Sequence, residues 1–250
     1  MMHSFLLIGQ SNMAGRGFLH EAPPLPKENI NVLRNGRWQP LYRPVNPDRP
    51  FSGVCLAERF AQRYAQTYSV PVGLIPCADG GTCMEWWMPG EALFDHAVAQ
   101  ARLAQRTSVI AGVLWHQGES DTFADRIPLY EERLKTMIQA LRQALGLEGV
   151  PFLMGELGDF LGVCQRDDLT ELKNYALINE ALWHVASQMP DTAMVSAEGL
   201  TANADQLHFN AASLYTFGER YFDVYQGMGY TPPHRELGQE KTARMVVESL

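Results

Sequence analysis

Four segments of this chain place polar side chains and glycines directly behind apolar runs. They are Gly9-Gln10-Ser11-Asn12-Met13-Ala14-Gly15, Ala78-Asp79-Gly80-Gly81-Thr82, Trp115-His116-Gln117-Gly118-Glu119-Ser120-Asp121 and Asp205-Gln206-Leu207-His208. Taken singly, each has an ordinary explanation: a serine after a strand commonly caps a helix, and a glycine pair commonly makes a turn. Taken together they meet the needs of one reaction. A serine hydroxyl is a weak nucleophile and requires a base within hydrogen-bond reach, and an imidazole base requires a carboxylate to hold its tautomer and stabilise the imidazolium. With Asp205 three residues ahead of His208 at a turn, the carboxylate can reach Nδ1 while Nε2 faces Ser11. The oxyanion formed during acyl transfer needs donors, which the Ser11 N–H, a glycine N–H from Gly80 or Gly81, and the Gln117 amide can supply. Nothing in this chemistry requires a metal or a cofactor.

Other residues near these segments are weighed in the same way. Glu119 competes with Asp205 as the carboxylate partner; a supporting role, bonding loop backbone or orienting Gln117, is expected instead. Gln10 is a second supporting residue, and His116 is expected to be a core histidine bonded to backbone. Trp86 and Trp87, beside the glycine pair, are candidates for a sugar-stacking platform, although adjacent tryptophans also anchor loops into cores.

The elements that position these residues follow from hydrophobic patterning. Residues 5–9, 70–76, 109–115, 150–157 and 192–197 are short apolar runs, as in parallel strands buried on both faces. Between them, residues 54–68, 93–106 and 129–145 carry apolar side chains at helical spacing, and two more helices are expected near 172–189 and 211–226. Strict alternation implies right-handed crossovers and a three-layer αβα sandwich around a five-stranded parallel sheet. Ligands of such sheets bind beyond the carboxyl ends of the strands, where all four segments fall. Residues 16–53 interrupt the rhythm with seven of the 15 prolines, and Asn35-Gly36 between apolar flanks predicts a small hairpin there.

At 250 residues, 46% hydrophobic and 19% charged, the chain reads as one α/β domain over 1–250, with a polar tail after Pro233 too short to be independent. A net charge of -8 argues against nucleic acid and anionic membranes as partners. No basic n-region precedes the short apolar start and no run of about 18 apolar residues occurs, so a cytoplasmic location is expected. The four cysteines lack zinc spacing and are expected as reduced thiols.

The strings GQSNMAGRG, GGTCMEWW, WHQGESD and DQLHF, in this order, resemble the sialate O-acetylesterase and carbohydrate esterase family six branch of the SGNH (GDSL-like) hydrolases. The likeness spans roughly residues 5–220, while the broad family's GDSL string is absent. The resemblance implies a flavodoxin-like sheet of order 2-1-3-4-5, Ser11 as nucleophile, Asp205 and His208 as acid and base, and Gln117 in place of the asparagine found in other branches. The glycine donor falls on Gly80 or Gly81, with Gly81 preferred. The implied activity is removal of O-acetyl groups from carbohydrates, of sialic acid or xylan type, through an acyl-enzyme. The alternatives are an SGNH lipase or thioesterase acting on other acyl esters, and a non-catalytic carbohydrate-binding protein.

Overall fold

The computed structural model describes residues 1–234; the end of the expected 1–250 domain and most of the tail after Pro233 lie outside the described residues. Its strands are β1 (His3–Gly9), β2 (Ile30–Arg34), β3 (Arg37–Pro40), β4 (Val72–Pro76), β5 (Val109–His116), β6 (Phe152–Gly155) and β7 (Thr192–Val195). They form one sheet of order β3-β2-β4-β1-β5-β6-β7, parallel throughout except for β3 against β2. The five expected strands are its core, in the expected order. The sheet nevertheless has seven strands, not five. The Asn35-Gly36 hairpin does form, with both residues at positive φ (49° and 76°) as a tight hairpin turn requires. Its first strand then pairs with β4 instead of remaining a surface excursion.

The helices are α1 (Ser11–Ala14), α2 (Leu56–Tyr68), α3 (Ala92–Ala104), α4 (Ile127–Leu145), α5 (Tyr175–Gln188) and α6 (Ala211–Gly227). Side chains alternate across β1, so one strand feeds two cores. Phe5 and Leu7 join Phe60 and Tyr64 of α2 and Phe217 and Tyr221 of α6. Leu6 and Ile8 join Ala97 of α3, Leu134 and Ile138 of α4 and Leu182 of α5. All four β1 side chains are at most 1% exposed, each worth about 1.5–3 kcal/mol of burial. This packing holds the carboxyl ends of β1, β4 and β5 side by side beneath the loops that carry the polar segments. The four cysteines are buried free thiols. Among the described residues, no helix is long and apolar enough to cross a membrane.

Candidate active site

The turn after β1 brings Ser11 onto the start of α1, tethered by the Gln10 N–H donating to the His116 carbonyl at 2.9 Å. The loop between β7 and α6 delivers His208 to it. Within that loop Asp205 shapes its own turn: Oδ1 accepts the N–H groups of Leu207 and His208, both at 3.0 Å, with Gln206 at φ 58° closing the bend. Short polar side chains favour such turns because they bond backbone two or three residues on. The other oxygen, Oδ2, lies 2.7 Å from His208 Nδ1, and His208 Nε2 lies 3.0 Å from Ser11 Oγ. Burial by itself raises the Asp205 pKa, but the hydrogen bonds from the His208 ring and from the two backbone N–H groups outweigh it and hold the carboxyl at about 2. An ionised carboxylate only accepts, so Nδ1 carries the proton and Nε2 offers its lone pair to the serine hydroxyl.

Ser11 and His208 open onto a cavity of about 660 Å³, within the range of small-molecule sites. Gln10, Gly80, Gly81 and Glu119 line it together with Phe51, Phe123 and Arg126. The two glycines have different fates. The Gly80 N–H donates to Asp48 Oδ2 at 2.8 Å, which leaves it unable to serve an oxyanion. A Cβ on Gly80 would stand 2.5 Å from the Arg16 guanidinium and 2.9 Å from Asp48, so a larger residue there would have to displace that buried ion pair. The Gly81 N–H has no acceptor among the described residues, and neither has that of Ser11 at the start of its helical turn.

Gln117 does not present its amide to this cavity, contrary to expectation. It is fully buried, and its Nε2 donates to the Thr82 carbonyl at 3.0 Å and to Asp121 Oδ2. The side chain ties the glycine loop to the turn after β5. Gln117→Ala is therefore expected to cost about 1–3 kcal/mol of stability through unpaired buried partners, with kcat well below Tm within about tenfold of wild type. Thermal melts and low-temperature kinetics check this; an intact Tm with a kcat loss beyond 10²-fold contradicts it. The amide that does line the cavity is Gln10. Its Oε1 accepts the N–H groups of Gly118 (3.3 Å) and Ser120 (3.4 Å), and its Nε2 has no acceptor among the described residues.

The tryptophan pair also separates. Trp87 is 1% exposed, donates through Nε1 to Thr82 Oγ1 at 3.1 Å and packs edge-on against Trp115, so it is a core anchor and not a sugar platform. Trp86 is exposed but lies outside the cavity lining. His116 is buried and donates from Nε2 to the Glu156 carbonyl at 3.1 Å; burial lowers its pKa and keeps it neutral, with the Glu119 carboxylate working in the opposite direction. Glu119 bonds Asn12, not Gln117, its Oε1 lying 2.5 Å from Asn12 Nδ2.

Several site residues were not singled out from the sequence. Asp48 braces the glycine loop through Gly80, and Arg16 braces Asp48 with bonds of 3.0 and 2.7 Å. Asn46 pairs with both backbone groups of Ala78. These come from the proline-rich segment before α2, where composition signals only a loop. Phe51 and Phe123, both exposed, each carry an arginine guanidinium over the ring, Arg16 and Arg126 respectively.

The profile of a family described as carbohydrate esterase, sialic acid-specific acetylesterase matches residues 1–227. A probable carbohydrate esterase from Arabidopsis thaliana is 27% identical over 245 residues, covering 88% of this chain and 89% of the plant protein. The X-ray structure of that plant protein superposes with a TM-score of 0.80 at 26% identity, over 90% of this chain and 98% of the plant chain. NanS shares the fold, with a TM-score of 0.73 at 16% identity over 91% of this chain and 97% of its own. So does a carbohydrate acetylesterase from Xanthomonas citri, with a TM-score of 0.65 at 19% identity over 92% of this chain and 56% of its own. The mixed α/β sheet, the order of its central strands and the match over almost all of the described residues agree, and the chain belongs to the carbohydrate esterase, sialic acid-specific acetylesterase family.

Proposed function

We propose that this protein hydrolyses O-acetyl esters of a carbohydrate through an acetyl-enzyme, with Ser11 as nucleophile, His208 as general base and Asp205 as its orienting carboxylate. The observation that carries the reading is the continuous hydrogen-bonded chain Ser11 Oγ, His208 Nε2, His208 Nδ1, Asp205 Oδ2, with links of 3.0 and 2.7 Å, opening onto a cavity. As Oγ attacks the ester carbonyl its proton passes to Nε2, and the imidazolium then returns that proton to the departing sugar oxygen. Water repeats the sequence on the acetyl-enzyme, releasing acetate and restoring the serine. The N–H groups of Ser11 and Gly81 are the unspent main-chain donors for the oxyanion, and the Gln10 amide is the side-chain donor that replaces Gln117 in this role.

A sugar leaving group is supported by the family and by the cavity lining, in which the aromatic Phe51 and Phe123 are joined by the polar Arg126, Thr170 and Glu171. Leu169, Leu172 and Leu207 on the same cavity favour the second reading, an ester with a longer acyl chain. Hydrolysis of acetylated xylo-oligosaccharides, sialic acids and amino sugars, set beside an acyl-length series on one alcohol, decides between them. Rates that fall steeply beyond acetyl and rise with a sugar alcohol are expected; a maximum at a longer acyl chain overturns the carbohydrate reading.

The pH dependence follows from Asp205. Its folded pKa of about 2 lies below the ordinary aspartate value of about 3.9, so its contribution to stability is complete above the latter and lost as pH falls through the former. The acid limb of kcat/KM should therefore carry no additional break from the Asp205 carboxyl between about pH 3 and 5. Profiles of kcat/KM with circular dichroism at each pH check this, and an additional break in that window contradicts it.

A further inference from the structure

Asn12 follows the proposed nucleophile, is 1% exposed, and takes no part in the acyl-transfer steps above. Its carboxamide instead reaches the loop that carries the base. Oδ1 accepts the N–H of Phe209 at 3.1 Å, and Nδ2 donates to the carbonyl of Leu207 at 3.3 Å. One side chain thus grips the peptide groups on both sides of His208. Nδ2 also donates to Oε1 of Glu119 at 2.5 Å, and Glu119 is 4% exposed. An oxygen acceptor at that place obliges the carboxamide to present its nitrogen there, which leaves Oδ1 for Phe209.

We propose that Asn12 is a positioning residue that locks the His208 loop onto the nucleophile turn, and that Glu119 sets the orientation of its carboxamide. This rests on the assignment of Ser11 and His208 given above. The Asp205 side chain cannot do the same work, because among the described residues its carboxylate bonds only groups of its own loop, up to three residues away at His208. It fixes the rotation of the ring and leaves the distance between the two loops to other contacts. Ser11 and His208 are 197 residues apart in sequence, and their 3.0 Å contact is only as well defined as the registry of the loops that bear them. Asn12 supplies two polar links between those loops, and the Asn203 side chain, donating to the Arg16 carbonyl at 3.0 Å, supplies a third at a distance from the serine.

The test is steady-state kinetics of the full chain for Asn12→Ala, Asn12→Asp, Glu119→Gln and the double variant Asn12→Asp/Glu119→Gln, with active sites counted by a fluorophosphonate. A base displaced by about 1 Å loses about 10²-fold in rate, so Asn12→Ala should lower kcat by about that factor with KM within about twofold. Asn12→Asp sets acceptors against the Leu207 carbonyl and Glu119, and should fall further. Adding Glu119→Gln returns an amide hydrogen to that contact, so the double variant should exceed Asn12→Asp by about tenfold, a non-additivity expected of groups in direct contact. A purely structural role would lower Tm and leave kcat per titrated site unchanged, and that result overturns the proposal. So does a double variant no better than Asn12→Asp, a comparison that decides the matter even if Asn12→Ala folds poorly. If the wild-type protein is not labelled at Ser11, the nucleophile assignment itself fails and takes this proposal with it.

Discussion

Ser11→Ala is expected to lower kcat by about 10⁴- to 10⁶-fold while leaving the fold intact, the range seen when a triad nucleophile is removed. Among the described residues the Oγ of Ser11 has a single side-chain partner, His208, which is itself partly exposed, so its loss leaves no deeply buried polar group stranded. Stability should change by no more than about 0.5–1 kcal/mol. The residual rate would come from donors that do not depend on the hydroxyl, the Ser11 and Gly81 N–H groups among them. Two measurements check the assignment: kcat of the variant at a temperature where circular dichroism matches wild type, and the peptide that gains mass after fluorophosphonate treatment. Retention of more than a few per cent of activity, or a label on another serine, rejects Ser11 as nucleophile.

Asp205→Asn should lower kcat by about 10⁴-fold, and here the local geometry dictates the mechanism of the loss. Oδ1 of Asp205 is held by the N–H groups of Leu207 and His208, so the single oxygen of an asparagine must stay there to keep the turn. Its Nδ2 then replaces Oδ2 opposite His208 Nδ1. Two donors cannot face each other, so the ring is driven to the tautomer protonated on Nε2, which cannot accept the serine proton. Glu119→Gln should cost only about tenfold, because Glu119 meets the base through Asn12 and not directly. Measuring both variants ranks the two carboxylates; the reverse order would transfer the acid role to Glu119.

Asp205 and His208 were legible because their relation is local. An aspartate three residues ahead of a histidine at a turn reaches the ring and its N–H whatever the rest of the chain does. The position of Ser11 was legible for a related reason: a polar turn directly behind an apolar run stands at the carboxyl end of a parallel strand, the side on which such sheets bind ligands. The five central strands and the helices between them followed from periodicity, which depends on burial of one face or two and not on distant partners.

The remaining features depend on contacts between distant segments. Gln117 and Gln10 are both amides at strand ends, yet one is spent on Thr82 and Asp121 and the other lines the cavity, a difference decided by which loops pack above them. Gly80 and Gly81 are indistinguishable in sequence until Asp48, 32 residues upstream, takes the N–H of the first. Trp86 and Trp87 share a 3-10 turn (Met84–Trp87) that points one outward and the other into the core. The hairpin was foreseen from Asn35-Gly36, but its joining the sheet depended on a free edge at β4, which exists only once β4 is in place. The sequence by itself determined the alternation of central strands and helices and the local pairing of Asp205 with His208, because periodicity and short-range turn chemistry are set by neighbours along the chain. Only the tertiary structure decided which amide and which glycine N–H remain unspent, because a hydrogen-bonding group is free or committed according to partners that folding brings from far away.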